Sequence, residues 1–333
     1  STPMATAEEV NKVLAAFNSP QWIHPMAGEL VLGFLGMSLV SSALSRRPHV
    51  LMTGPAACGK STVLGYVRLM LGRLAHSCTG PQNLAGLYQS IGGTSKAVIN
   101  DEFEADSRSK SCKETFEIAR MSYSMQEEDK GIVRGTSSGN SRSYRFCSPF
   151  IAAGISPGKM EPADLTRWVT LEAKGTPQGE RLSDAEAREL GPKLARLYLS
   201  RWNVFQASED VVRDCILSLG GDGRMADTIG TLLASYWAFV SESPATEEDA
   251  KFLVNMLGIE ERIAVHQVSD ELQCLEALTS RVLPFKVVDG AALVTRHLSI
   301  AQAIEMVCAD PTGQPELVMR LAQMGLRVAF ALG

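Results

Sequence analysis

The sequence carries seven cysteines, at 58, 78, 112, 147, 215, 274 and 308, with no Cys-x-x-Cys pair and no metal-ligand spacing. Scattered in this way they read as reduced, packed thiols, which excludes a disulfide framework and gives no reason to expect zinc. Positive charge is not in excess either: 32 Lys and Arg stand against 37 Asp and Glu, a net charge of −5. That excludes a wholesale basic coat, so any nucleic-acid contact has to be local. Ser1 to Ala5 has no charged segment leading into an apolar core, so no signal peptide is expected. Trp22 to Leu44 is long and apolar enough to suggest a membrane span, but it carries His24, Pro25, Glu29 and several Gly and Ser residues. A buried or kinked helix is the better reading, and a cytoplasmic protein without membrane contact is expected. With 333 residues, 45% of them hydrophobic and 21% charged, the chain has length for one large or two modest globular domains.

What is present centres on residues 49–62. An apolar strand, Val50-Leu51-Met52, runs into Gly54-Pro55-Ala56-Ala57-Cys58-Gly59-Lys60-Ser61-Thr62, which fits a phosphate-binding loop between a strand and a helix. Glycines let backbone N–H groups turn inward around a phosphate, Lys60 supplies a compact positive charge, and the Ser61 hydroxyl is a ligand type for Mg²⁺. The following helix, Val63 to about Leu74, would point its positive end at the same phosphates. The expected ligands are therefore ATP and Mg²⁺.

Further along, Ala97-Val98-Ile99-Asn100-Asp101-Glu102 reads as a short buried strand ending in two acids. In phosphate-loop ATPases such a strand delivers an Asp to the metal, and a neighbouring Glu polarises the attacking water; Asp101 and Glu102 take those parts here. Glu104 and Asp106 read only as a continuation of an acidic helix start. A helical pattern over Ser111 to Glu128 follows, and then residues 132–146 form a hairpin pattern: two β-like arms around a Gly/Ser/Asn tip. Between residues 130 and 145 it carries Lys130, Arg134, Arg142 and Arg145 and no acid. It reads either as a solvated turn or as a local phosphate-contacting element. An apolar strand, Pro149 to Ile155, ends at Ser156, and Asp164 and Arg167 precede another strand, Trp168 to Leu171.

In this order the residues resemble the ATPase module of phage and prophage primase-helicases, which is similar to superfamily 3 helicases of the AAA+ class. Trp22-Ile23-His24-Pro25, Gly92-Gly93-Thr94-Ser95 and Gly223-Arg224-Met225-Ala226-Asp227-Thr228-Ile229-Gly230 share the likeness, which covers roughly residues 20–240. The resemblance implies an α/β core of the AAA+ P-loop type and a homo-oligomer, a hexameric ring with ATP held between subunits. It implies that Ser156 is the polar residue that senses the γ-phosphate and that Arg167 is the arginine finger reaching the adjacent subunit's nucleotide. It further implies that the hairpin, with Lys130, Arg134, Asn140, Arg142 and Arg145 as candidate contacts, tracks single-stranded DNA by its phosphates. Two features depart from the family. The interval between Lys60 and Asp101 is short, which suggests a reduced strand or helix there, and the hairpin tip has no lysine or aromatic. No primase acid cluster is present, so a primase would be a separate protein or another part of a longer chain.

The expected organisation is N-terminal helices over 1–45, the ATPase core over 46–182, a helical lid over 183–258 and a winged-helix-like region over 259–333. Arg224 reads either as a lid arginine sensing nucleotide or as a surface arginine at a helix start. In the tail the pattern suggests helix 269–282, strand 285–288, helices 299–308 and 315–324, and strand 326–330. The function expected is an ATP-dependent DNA helicase or translocase of phage or mobile-element replication. The rival readings are a non-motor AAA+ switch, a loader or defence ATPase acting on a protein partner, and a small-molecule kinase sharing the phosphate loop.

Overall fold

A computed structural model describes residues 2–80, 82, 84–104, 111–126, 131–135, 141–157, 160–259, 278–290, 292–310 and 312–327. The chain divides into two compact units, Ser1–Glu260 and Glu261–Gly333.

The first unit is built on runs of residues too apolar to tolerate water on either face. Strands β2 (His49–Thr53), β4 (Ala97–Asp101) and β7 (Phe150–Gly154) are buried almost without interruption, as strands covered by helices on both sides must be. With β1 (Gln21–Trp22), β3 (Ala75–Thr79) and β8 (Trp168–Lys174) they form one sheet in the order β1-β8-β2-β7-β4-β3. All neighbours pair in parallel except β1, which runs antiparallel to β8. Thr53 lies opposite both Gly154 and Glu172, so the strand ends that carry the candidate residues share one edge.

One face is sealed by Leu51, Val98, Phe103, Phe116, Phe146, Phe150 and Trp168 with Leu87 and Ile91, the latter two from α4 (Leu84–Ile91). α5 (Ser111–Ser124) packs beside it, and the short α6 (Pro162–Leu165) precedes β8. α3 (Lys60–Leu71) covers the other face, and α7 (Asp184–Ser200) packs on α3. β3 and α4 both fall between Lys60 and Asp101, so that interval is not reduced. The strand was hidden because an edge strand is half-exposed: His76, Ser77 and Cys78 show no apolar run.

The apolar stretch near the N-terminus is α2 (Ala27–Leu39), 13 residues buried nearly all round. Gly33 is needed there, since a Cβ would stand 2.1 Å from the Leu232 carbonyl oxygen, and that oxygen belongs to α10 (Thr231–Val240). The Ser235 hydroxyl donates to the Gly33 carbonyl at 2.7 Å. The N-terminal helices, α1 (Ala7–Phe17) among them, and the helical segment after the core thus share one apolar layer. Among the described residues no helix is long and apolar enough to cross a membrane. α8 (Trp202–Ser218), α9 (Gly223–Met225), a π-helical turn (Ala226–Gly230) and α11 (Glu247–Met256) complete the helical segment.

In the second unit, β9 (Val282–Asp289) and β10 (Ala292–Ser299) form an antiparallel hairpin followed by α12 (Ile300–Ala309) and α13 (Pro315–Gln323). Phe285, Val287, Ile300, Val307, Leu317 and Leu321 form its core. The expected helix 269–282 is corrected at its end, where Val282 begins a strand, and its residues 269–277 lie outside the described ones. The expected strand 326–330 is not formed by Leu326 and Arg327, and the rest lies outside the described residues. The described residues of this unit thus form a hairpin followed by two helices, and the rest of the expected pattern lies outside them. β10 escaped notice because its alternation is blunted: Arg296 and His297 are exposed, and only Val294, Leu298 and Ser299 are half-buried.

His49 ties the sheet to α5. Its Nδ1 accepts the Phe150 N–H at 3.1 Å and its Nε2–H donates to the Ala119 carbonyl at 2.8 Å, which fixes one neutral tautomer. Burial pushes this imidazole down to about 3, so the unfolded chain takes up a proton that the folded one refuses. Stability should therefore fall as pH drops below about 6.5 and continue to fall towards 3. Melting temperatures at pH 8, 6 and 5 for the wild type and His49→Gln check this; an equal decline in both would remove His49 as its source.

Candidate functional site

The phosphate loop begins where β2 ends. A Cβ at Gly54 would stand 2.4 Å from the Ala173 carbonyl oxygen, and Gly54 and Gly59 have φ of +138° and +97°. Both positions therefore require glycine, one for close approach and one for a left-handed backbone. The Lys60 ammonium donates to the Gly54 and Pro55 carbonyls at 2.7 and 2.8 Å and to Cys58 Sγ at 3.3 Å. Cys58 is buried and packs as a spacer. Ala56, Ala57 and Thr62 complete the loop and the first turn of α3, whose free N–H groups face it.

One strand, β4, ends in Asp101 and brings it to this loop. The Ser61 hydroxyl donates to Asp101 Oδ1 at 3.0 Å, so the two residues expected at Mg²⁺ are in contact. Glu102 is exposed with φ +54°, and Ala57 has φ +61°; these are the positive-φ non-glycines among the described residues. Strained backbone of this kind persists where surrounding structure over-determines it. Phe103 is fully buried and its N–H donates to the Ala153 carbonyl at 2.8 Å.

Glu104 has a part the sequence did not reveal. Its carboxylate accepts the Ser156 N–H at 2.7 Å and also the Ile155 N–H. It thus clamps the end of β4 to the end of β7 and holds Ser156, exposed, beside the loop. This corrects its reading as a mere acidic helix start. A Cβ at Gly154 would stand 2.3 Å from the Phe103 carbonyl oxygen, so the same junction demands a glycine.

Arg167 is elsewhere. Its carbonyl accepts the His49 N–H at 3.0 Å, at the start of β2, whereas the phosphate loop follows the end of that strand. Four residue rises separate those ends by roughly 13 Å. The guanidinium lies 5.6 Å from the centre of the Tyr123 ring and donates to the Ala163 carbonyl, and its buried Nε has no partner among the described residues. The nearby Asp164 carboxylate is engaged instead in a bidentate pair with Arg120 at 2.8 and 2.9 Å. Burial, and then the charge of Arg224, lower the affinity of Arg167 for its proton. Arg224 thus stands near Arg167, not at its own chain's phosphate loop. It is carried there by the π-helical turn, whose Thr228 hydroxyl donates to the Thr166 carbonyl at 2.9 Å. Asp227 in the same turn pairs with Arg213 at 2.6 Å and Arg46 at 3.3 Å.

The basic hairpin exists, as β5 (Ile132–Gly135) and β6 (Ser141–Tyr144), with Arg134 opposite Arg142 in the register. Lys130 and the tip residue Asn140 lie outside the described residues. Arg145 is exposed at the foot, where its carbonyl accepts the Gly93 N–H at 2.7 Å and the Tyr144 ring lies 5.2 Å from that of Tyr88.

No family model matches the sequence, and no curated protein matches it. Solved structures of similar shape include the C-terminal region of NrS-1 (13% identity, 90% of this chain and 77% of the other, TM-score 0.41). Another is a protein described as an ATPase of Cytophaga hutchinsonii (13% identity, 81% and 91%, TM-score 0.39). A third is the JCV helicase (14% identity, 82% and 64%, TM-score 0.33). The strand order, the glycine-dependent loop and the Ser61–Asp101 contact define the class of this chain on their own: it has the α/β fold of P-loop ATPases.

The Gly154 junction makes a direct prediction. Gly154→Ala should cost about 1–3 kcal/mol through overpacking against Phe103, seen as a lower urea midpoint. An unchanged midpoint would show that the β4–β7 junction has slack.

Proposed function

We propose that the chain is an ATP-dependent DNA helicase or translocase that works as a ring of identical subunits, a hexamer, in phage or mobile-element replication. The observation that carries the reading is the position of Arg167. An arginine of this kind, without an ion pair among the described residues and set at the sheet edge opposite its own phosphate loop, is useful to hydrolysis only on a neighbouring copy's nucleotide.

In this reading the loop N–H groups of residues 54–62 and Lys60 hold the phosphates, and Ser61 with Asp101 holds Mg²⁺. Their contact and the glycine cradle fit those ligands. Bound Mg²⁺ supplies charge neutralisation across the phosphates. Glu102, exposed at the strand end, orients the attacking water and accepts its proton, while the Ser156 hydroxyl, positioned by Glu104, meets the terminal phosphate. Arg167 and Arg224 from the adjacent subunit offset the charge that builds there. The hairpin suits a polyanion partner, since its sequence carries Lys130, Arg134, Arg142 and Arg145 and no acid between residues 130 and 145. Backbone contacts are blind to sequence, which suits a motor on single-stranded DNA.

Lys60→Ala and Arg167→Ala should each lower ATP hydrolysis at least a hundredfold, on the scale of losing one preorganised donor. Mixed in equal amounts they should recover a fraction of wild-type rate, because some interfaces then pair an intact loop with an intact arginine. No recovery at any ratio would place Arg167 outside the reaction.

A further inference from the structure

The phosphate loop borders two cavities with different neighbours. One, of ≈ 290 Å³, is lined by Ser61, Asp101, Thr79 and Arg68 among others and lies on the metal side of the loop. The other, of ≈ 160 Å³, is lined by residues 57–62 together with Pro177 and Arg181 and does not include Asp101. The two cavities share Ser61, and Asp101 lines only the first.

The segment that brings Arg181 there is fixed at several points. Gln178 N–H donates to the Ser19 carbonyl at 2.7 Å, and Leu182 N–H donates to the Tyr66 hydroxyl on α3 at 3.1 Å. Leu182 is buried, and Ser183 caps α7 through a reciprocal bond with Glu186. Pro177 and Pro20 come from two separate segments to stand on either side of the start of α3, each with a ring carbon 3.2 Å from where a Cβ of Gly59 would be. Between these anchors Arg181 is exposed and forms no ion pair or hydrogen bond with a described residue. A guanidinium left unpaired on a pinned segment, at the positive end of a helix that already holds Lys60, is matched by an anion.

We infer that Arg181 is a binding residue for the nucleotide on its own subunit's loop, contacting the phosphates that are retained on hydrolysis rather than the one that is transferred. This rests on the nucleotide reading of the loop. The assignment to retained phosphates rests on the lining: Asp101 and Glu102, read above as acting at the transferred phosphate, line no part of the Arg181 cavity. Arg181 therefore strengthens di- and triphosphate binding alike and leaves the chemical step alone, which is the signature of uniform binding.

The test is equilibrium binding of ribose-labelled fluorescent ADP and of a labelled non-hydrolysable ATP analogue to the full chain as wild type, Arg181→Ala and Arg181→Lys. Steady-state hydrolysis is measured alongside. Arg181→Ala should weaken both nucleotides about tenfold and raise KM by a similar factor, with kcat within about twofold, the scale of one charge-assisted hydrogen bond. Arg181→Lys should recover part of the affinity. Unchanged affinities in Arg181→Ala, with the wild type binding normally, would overturn the inference and leave the nucleotide site standing. A loss confined to the triphosphate analogue would also overturn it, because Arg181 would then act at the transferred phosphate. A wild type that binds neither nucleotide removes both the site reading and this inference.

Discussion

The hydrogen bond from Ser61 to Asp101 is the point on which the site depends. It joins the first turn of α3 to the last residue of β4, so the helix that opens the phosphate loop and the strand that supplies the acid meet at 3.0 Å. The meeting requires β7 to lie between β2 and β4, since those two strands are not neighbours. It requires Gly154 as well, because the chain leaving β4 crosses the end of β7 so closely that the Phe103 carbonyl occupies the place of a side chain. Glu104 then fastens the crossing by accepting two backbone N–H groups at the end of β7. A carboxylate between backbone donors is a strong and directional tie, and it places Ser156 at the same edge.

A second consequence of the topology concerns the arginines. In a parallel sheet all strand ends with catalytic loops share one edge and all strand starts share the other. Arg167 precedes β8 and so is placed at the starts by chain order alone. The π-helical turn adds Arg224 beside it, held by Thr228 on the Thr166 carbonyl and by the Arg46–Asp227–Arg213 cluster. Insertions of this type cluster at functional sites. Two guanidiniums together in a chain of net charge −5 form a local positive edge, opposite in character to the acid-bearing edge that ends in Asp101 and Glu102. In the proposed ring, copies stacked edge to edge would bring these charges together.

The phosphate loop, the strand before it, and the strands at 97–101, 150–154 and 168–174 were legible because each is a short apolar run next to a polar residue with chemical meaning. The hairpin was legible from its arms and its Gly/Ser/Asn tip. What escaped was whatever lacks an apolar period. β3 is an edge strand of half-buried polar residues, and β10 has a mostly exposed face. Glu104 escaped for another reason: its two partners are backbone N–H groups of residues 155 and 156, a contact that exists only after the sheet has formed. Arg181 was silent likewise, since nothing in Gly179-Glu180-Arg181-Leu182 signals that Leu182 is bonded to Tyr66 of α3. Arg224 was open to two readings in the sequence, and neither indicated which end of the sheet it would reach.

The most direct measurement of the account is steady-state ATP hydrolysis over a protein concentration series, with and without single-stranded DNA, at two salt concentrations. A nucleotide site completed by a neighbour's arginine predicts that specific activity rises steeply with protein concentration. A phosphate-tracking hairpin predicts stimulation by DNA that weakens as salt is raised. Specific activity that is independent of concentration and indifferent to DNA would contradict the shared site and the motor together, leaving a phosphate-loop ATPase that acts on its own.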